Sequence, residues 1–576
     1  MKHSFVNKPE RPWPNPYLEV AAIVGHTTTE SSRLWFRTHH PGRYRVLVFA
    51  LAEIPEAQID RVLSLPQPTL EALLGLKAVS PDPYALQSYP LVTGTETDTT
   101  AVVEVGHLNA DRRYRYLLWS EDRHEPALGH QRPLTFKTLA ETGPVSFGFF
   151  SCHMPYKTTL FGRTKVVNEE MWDYFHEMLQ RHDQKALRFV LAGGDQVYSD
   201  GVETLSIWNF LKKVMRREGD RLLPEVDEMV TWYRDIYRGY WGFPALREVF
   251  SSFPTYMIWD DHEIADGWGS FRFAQGKPRD ELDEILPNRP DSDLSWEERL
   301  ELVQRMVRAA TQVYREYQHS HNPQMHRVDA AFPADAFDYH IRFPKGALYV
   351  LDGRGQRDFN RGRLKILGQA QLDRFRGWLE ALDPAETPFV FVASAVPLVH
   401  LSHLLVDQGE GVIADAANLT DDLRDGWEHK AHRVENRTLL KLLFKAAKRG
   451  HRVCVLSGDV HVAAAFRLTD PETGRVIYQL TSSAITYNLP RALGWALGRA
   501  VPDTGVTRDG YAFERLARYT DSNFSLIRVD PEQDRVDFQL YGEQVTQNPV
   551  NGETRQNSHA IAKIELTFGT SLTPVS

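Results

Sequence analysis

Five short apolar runs each end abruptly in a cluster of polar residues, and this repeated punctuation constrains the fold more than any other feature of the chain. Phe189-Val190-Leu191-Ala192 stops at Gly193-Gly194-Asp195-Gln196-Val197-Tyr198. Val145 to Phe150 runs into Ser151-Cys152-His153, Tyr256 to Trp259 into Asp260-Asp261-His262-Glu263, Ala347 to Leu351 into Asp352, and Val453 to Leu456 into Ser457-Gly458-Asp459-Val460-His461. Runs of this length and composition predict strands covered on both faces, and paired glycines let the backbone turn tightly where a strand stops. In α/β sheets the residues that follow parallel strands converge beyond the carboxyl ends. Five strands therefore aim polar groups at one place.

The rest of the chain frames those strands. From 17 to 140, short alternating or apolar runs between turn residues predict an antiparallel β-sandwich. Its interruption, Glu53 to Ser88, reads as a surface excursion with a helix near Leu70 to Leu76. From 143 to 545, strands alternate with helix-length segments, the pattern of a layered α/β domain. Leu372, Phe375, Trp378 and Leu379 share one helical face, as do Leu439, Leu440, Leu443 and Ala447 before Gly450. The segment 269–322 is charged, contains prolines and carries a helix from Trp296 to about Tyr317 capped by Ser295, an insertion over the site that reads as a lid or as a solvated excursion. Leu526 to Val529 and Val536 to Leu540 form a hairpin, and 546–576 supplies one more strand, Ala560 to Phe568, and a tail.

With 576 residues the chain exceeds what one core usually holds, and its net charge of -9 argues against a protein dominated by nucleic-acid phosphate contacts. Two cysteines, Cys152 and Cys454, exclude a disulfide framework. The absence of a spanning apolar run and of a secretion signal at Met1 to Pro9 leads to the expectation of a cytoplasmic protein without a membrane span.

Each cluster has an ordinary reading and a chemical one. Asp195 alone is a turn residue or helix cap more often than a ligand, and Tyr198 a half-buried aromatic; one helical turn apart, both can reach one ion. Three acids and a histidine at 260–263 are costly to bury without positive charge, which a metal supplies economically. Asp459 and His461, two apart, lie on one side of an extended segment. Cys152 is a small buried hydrophobe or a thiolate ligand, whereas Cys454, inside its strand, belongs to the core. Arg354 and Arg357 either pair with the neighbouring acids or clamp a phosphoryl group, and the two readings are compatible.

Taken together, Ser151-Cys152, Gly194-Asp195-Gln196-Val197-Tyr198, Trp259-Asp260-Asp261-His262-Glu263, Leu351-Asp352-Gly353-Arg354 with Arg357, and Ser457-Gly458-Asp459-Val460-His461 resemble the alkaline phosphatase D (PhoD-like) group of metallophosphoesterases, related to calcineurin-type and purple acid phosphatases. The resemblance implies a four-layer α/β/β/α core behind an amino-terminal β-sandwich, and a dinuclear site of ferric iron and calcium, with manganese or zinc as other occupants of the second position. It implies Cys152, Asp195, Tyr198 and His461 as iron ligands, Asp195 as the bridge, and Asp261 and Asp459 as ligands of the second ion. His262 falls where the superfamily places a histidine acting on a phosphoryl oxygen or leaving group, and Arg354 and Arg357 would steady the phosphate. The first motif departs from the superfamily's Asp-x-His, and His153, His400 and His403 receive no role. The expected activity is metal-dependent hydrolysis of a small phosphate mono- or diester, against a catalytically silent metal-binding or adaptor protein of the same fold.

Overall fold

A computed structural model describes residues 9–568 apart from 183–185, 215–222, 277–279, 287–293, 326–336, 403–405, 407–423, 488–497 and 548–553. Two large sheets form its centre. In the six-stranded sheet, Thr255–Met257, Leu187–Ala192 and Val145–Phe150 run parallel, followed by the antiparallel series Asn523–Asp530, Arg535–Gln547 and Thr554–Leu566. In the eight-stranded sheet, Gly346–Val350, Phe389–Ala393, Arg452–Ser457 and Val476–Thr481 run parallel, with antiparallel strands on either side. The parallel strands read as unbroken apolar runs because both of their faces are covered.

The two sheets pack face to face through aromatic side chains: Phe147 stacks on Phe189 at 4.6 Å and meets Phe391 edge-on at 5.4 Å. Each such ring contributes about 1.5–3 kcal/mol by leaving water. Helix Glu170–Arg181 covers the outer face of the first sheet, with Phe175 against Phe150 and Phe524. Helices Gly368–Ala381 and Arg433–Arg449 cover the outer face of the second, and the latter ends at Gly450 in the left-handed conformation expected of a stop signal. The result is the expected α/β/β/α stack, with the apolar stripes read from the sequence facing inward.

The amino-terminal sandwich is present too. Ala21–Thr27, Ser32–Arg37 and Thr100–Val105 form one sheet, and Gly42–Ala50, Leu86–Thr93, Arg113–Ser120, Glu125–Leu128 and Leu134–Lys137 the other, around Val24, Leu34, Phe36, Val46 and Tyr116. The stretch read as a surface excursion is instead structural. Its helices Glu56–Leu63 and Leu70–Gly75 bury Ile59 and Leu73 against Leu47 and Phe49, and Leu86–Thr93 is an edge strand. Pro90 hid that strand, since proline is accepted at a sheet edge and argues against a central position.

A second correction concerns 269–322. Helix Trp296–Tyr317 starts at a Ser295–Glu298 capping box as expected, but it is neither lid nor solvated excursion. It packs against helix Val226–Tyr240 and buries Leu302, Met306, Val313, Tyr314 and Tyr317 among other side chains. Tyr314 stacks on Trp259 at 4.4 Å, so the helix braces the acidic turn from behind.

Candidate metal centre

At the carboxyl ends of the parallel strands, both sheets deliver their side chains through unusual backbone. Cys152, Asp195, Asp459 and His461 all have φ between 53° and 64°, in the left-handed region that residues with a Cβ seldom enter. Each such step costs on the order of 1–3 kcal/mol and persists only where the surroundings fix it. Here Cys152 N–H donates to Gly194 O at 3.1 Å, His153 N–H to Asp195 O at 2.8 Å, and His461 N–H to Ser483 Oγ at 3.1 Å. Gly194 and Gly458 are required by close approach: a Cβ on Gly194, whose φ is +117°, would stand 2.9 Å from Asp260 Cβ, and one on Gly458 would stand 2.5 Å from Ser151 Cβ.

Two donor sets share Asp195. In the first, Cys152 Sγ and the Tyr198 hydroxyl converge on Asp195 Oδ2 at 3.4 and 3.3 Å. His461 stacks on Tyr487 at 4.0 Å, and the same ring faces Tyr198 at 5.8 Å. In the second, carboxylate oxygens of Asp195, Asp260, Asp261 and Asp459 all lie within 4.8 Å of one another. Burial raises the pKa of the Cys152 thiol, the Tyr198 phenol and the Asp195 and Asp459 carboxyls well above their ordinary values, with neighbouring acids adding to it. Asp260 is pushed up to about 7, by burial first and Asp261 besides, against the pull of Arg354. Burial lowers His461 to about 3.

Such a cluster is electrostatically incomplete. Asp195 Oδ1, Asp260 Oδ2, Asp261 Oδ1 and His461 Nδ1 are buried without a hydrogen-bond partner among the described residues, a cost of about 1–3 kcal/mol or more for each group. Cations remove that cost, and the chemistry of the donors suits them. Thiolate, phenolate, imidazole and carboxylate together fit a transition metal, and an all-carboxylate neighbour fits a hard divalent ion.

His262 sits beside both sets. Its Nδ1 lies 2.8 Å from Asp200 Oδ1, its ring stacks on Tyr198 at 4.0 Å, and one ring nitrogen falls within 4.8 Å of Asp195 and Asp261 oxygens. Burial opposes its charge, but Asp200, Asp261 and Asp195 prevail and hold its pKa well above the usual histidine range.

The two arginines differ. Arg354 spends four N–H donors on hydrogen bonds within the protein: Nε on Asp260, NH1 on Trp268 O at 2.9 Å and Asp425 Oδ1 at 2.7 Å, and NH2 on Asp425 Oδ2 at 2.5 Å; Asp261 Oδ1 is an ion-pair neighbour of NH2 at 3.5 Å. Arg357 donates through NH2 to Asp425 O at 2.7 Å, while its buried Nε and NH1 have no hydrogen-bond partner among the described residues. Arg354 thus orients acids, and Arg357 keeps donors free.

Several contributors were not marked by the sequence reading. Asp425 forms the forked pair with Arg354, yet no motif in the sequence marks it. Asp200 follows Tyr198 closely enough to have been suspected. Tyr487 lies on a loop with no chemical signature, and Asp260 was overshadowed by Asp261. Glu263 accepts from Asp195 N–H at 3.2 Å, Gln196 N–H at 2.8 Å and Asp260 N–H at 2.9 Å, tying the two acidic turns together. Asp352 is a buried acceptor for Trp259 Nε1–H at 2.8 Å. His153 points into an aromatic pocket of Trp172, Tyr240 and Phe243, where burial lowers its pKa to about 3. His400 joins no metal-type cluster among the described residues, and His403 lies outside them.

A two-sheet core with ligand-type side chains gathered at its strand ends defines a metallophosphoesterase fold. The sequence profile of the PhoD-like phosphatases matches residues 147–538, and the chain belongs to that family, among metal-dependent phosphoesterases. The solved structure of PhoD superposes with a TM-score of 0.58 at 14% identity, covering 96% of this chain and 94% of the other. Purple acid phosphatase PPD1 from yellow lupin (Lupinus luteus) seeds gives a TM-score of 0.49 at 11% identity, over 95% of this chain and 74% of its own. Uncharacterized protein YGR266W of Saccharomyces cerevisiae is 23% identical over 361 residues, 53% of this chain. The chain spans about half of that relative's length, 48%. Among the described residues no helix is long and apolar enough to cross a membrane.

Proposed function

We propose that the protein hydrolyses small phosphate mono- or diesters with two metal ions, ferric iron held by Cys152, Asp195, Tyr198 and His461 and calcium held by Asp195, Asp261 and Asp459, with Asp260 beside them. Manganese and zinc are the other candidates for the second position. The observation that carries this reading is the sharing of Asp195 by a sulfur- and phenol-containing set and an all-carboxylate set whose buried oxygens lack partners. When bound, such a pair supplies Lewis acidity toward a phosphoryl oxygen and a nucleophile derived from water.

The chain's own groups do the rest. Arg357 offers Nε and NH1 to an equatorial phosphoryl oxygen, where fixed donors stabilise developing charge. Arg354 fixes Asp260 and Asp425, whose carbonyl Arg357 leans on. His262, oriented through Nδ1 by Asp200, presents its other ring nitrogen to the departing alkoxide as a proton donor.

The test is elemental analysis and a visible spectrum of purified protein, alongside hydrolysis of an aryl phosphate and a bis-aryl diester. Iron with a second divalent ion, a charge-transfer band that vanishes in Tyr198→Phe, and loss of both metal and turnover in Asp195→Ala are the expected results. An Asp195→Ala protein that kept both would overturn the assignment.

A further inference from the structure

A small hairpin outside the metal centre has properties that the hydrolytic reading does not use. Strands Tyr156–Thr158 and Thr164–Val166 pair antiparallel and are closed by Thr159 N–H to Arg163 O at 2.8 Å and Gly162 N–H to Thr159 O at 2.9 Å. The tip is therefore held in one shape by its own backbone. At that tip Leu160 is 102% and Phe161 92% exposed, higher than any other large hydrophobic residue among those described. The tip stands clear of the rest of the protein.

Its flanks are basic. Lys157, Arg163 and Lys165 are all exposed, none makes an ion pair among the described residues, and the stretch from 154 to 168 holds no acid, in a chain whose net charge is -9. Lys157 and Lys165 are moreover direct partners across the hairpin, and like charges in that position destabilise a strand pair. The base of the hairpin is by contrast well anchored. Tyr156 OH lies 2.6 Å from Asn15 Oδ1, Thr164 Oγ1 lies 2.5 Å from Thr204 Oγ1, and Asn168 Nδ2 donates to Thr486 O at 2.8 Å. Thr204 and Thr486 belong to the loops that carry Asp200 and Tyr487, so the hairpin stands at the rim of the metal centre.

We propose that this hairpin docks the protein on an anionic lipid surface, Leu160 and Phe161 entering the interface and Lys157, Arg163 and Lys165 meeting the headgroups. Two adjacent apolar side chains are too few to anchor a protein, and three cations alone bind weakly; combined on one rigid finger, they supply the two signals that reversible membrane binding requires. A nucleic acid would satisfy the cations but leave the apolar tip in water, and the charge pattern favours anionic over neutral lipid.

Vesicle flotation of the full chain tests this without reference to hydrolysis. The protein is expected to float with vesicles of phosphatidylcholine and phosphatidylserine, to bind phosphatidylcholine alone much less, and to dissociate as salt rises. Leu160→Ser with Phe161→Ser should weaken partition by about tenfold or more. Lys157→Gln, Arg163→Gln and Lys165→Gln should each weaken it by about fivefold, the equivalent of about 1 kcal/mol per charge. All five positions are exposed, so an unchanged thermal midpoint serves as the folding control. Absence of wild-type binding to the anionic vesicles overturns the proposal, as does undiminished binding by the tip variant. Light scattering that finds a wild-type dimer made monomeric by the tip substitutions also overturns it, by assigning the tip to a second copy of the chain.

Discussion

Replacing Asp425 by asparagine keeps the shape of the side chain and removes the charge that holds Arg354 in place. The pair is buried, with Arg354 1% and Asp425 4% exposed, and its two hydrogen bonds measure 2.7 and 2.5 Å. Hydrogen bonds to charged groups are worth about 1.5–3 kcal/mol each, so two give about 3–6 kcal/mol. Removing one partner of a buried ion pair costs about 3–5 kcal/mol by a separate line of measurement. The estimates overlap at about 3–5 kcal/mol. With a urea m-value near about 3 kcal/mol per M, the unfolding midpoint followed by tryptophan fluorescence should fall by roughly 1–1.7 M. The effect has a definite pH signature. Burial opposes the charge on Asp425, but Arg354 and Arg357 outweigh it and hold its carboxyl below the ordinary aspartate value. A depressed carboxylate stabilises the fold fully above its unfolded pKa of about 3.9 and loses that contribution as pH falls through the folded value. The difference between wild type and Asp425→Asn should therefore be constant near neutrality and shrink below about pH 4. A midpoint shift under about 0.2 M at pH 7, or a difference that widened in acid, would refute the reasoning.

Two substitutions separate backbone from side-chain contributions around the centre. Gly194→Ala meets both a φ of +117° and Asp260 Cβ at 2.9 Å, and should cost more than about 2 kcal/mol while lowering metal content; Gly162→Ala, at φ +71° with open space around it, should cost only about 1 kcal/mol and leave metal untouched. Equal losses from the two would remove the steric argument. Trp259→Phe keeps the stack on Tyr314 but deletes the Nε1–H bond to Asp352, and a loss of about 1–3 kcal/mol in urea unfolding with unchanged metal stoichiometry is expected. Metal loss in that variant would move Asp352 from support into the centre itself.

The strand ends were legible because a parallel strand buried on both faces has no choice but to read as an apolar run, and because the acids that follow have no other reason to be so dense. Asp425 was not legible for the complementary reason. It reaches Arg354 from 71 positions away in sequence, with no motif around it, and only folding makes it a neighbour. Helix Trp296–Tyr317 shows a different limit. Its cap and its extent were visible, but neither states which face is covered or what covers it. The acids at 260 and 261 illustrate the same point at small scale. Neighbouring residues in a strand diverge, yet Asp260 is extended while Asp261 opens a short 3-10 turn, and both oxygens reach the same cluster.

The bracing helix also settles whether the sandwich and the metallophosphoesterase core are separable parts. Trp35 Nε1–H donates to Glu316 O at 2.7 Å, Tyr116 OH to Ser251 O at 2.7 Å, and Asp98 accepts from Arg37 on its own side and from Arg238 and Tyr317 on the other. Residues 11–18 reach the same helices, where Arg11 pairs with Asp235 at 3.3 Å and Leu18 N–H donates to Arg238 O at 2.9 Å. A chain cut after Leu139 would strand two buried arginine partners and expose the back of the helix that supports Trp259. The sandwich is thus a supporting wall of the two-sheet core, and excision would undermine the candidate metal centre from a side that never touches it.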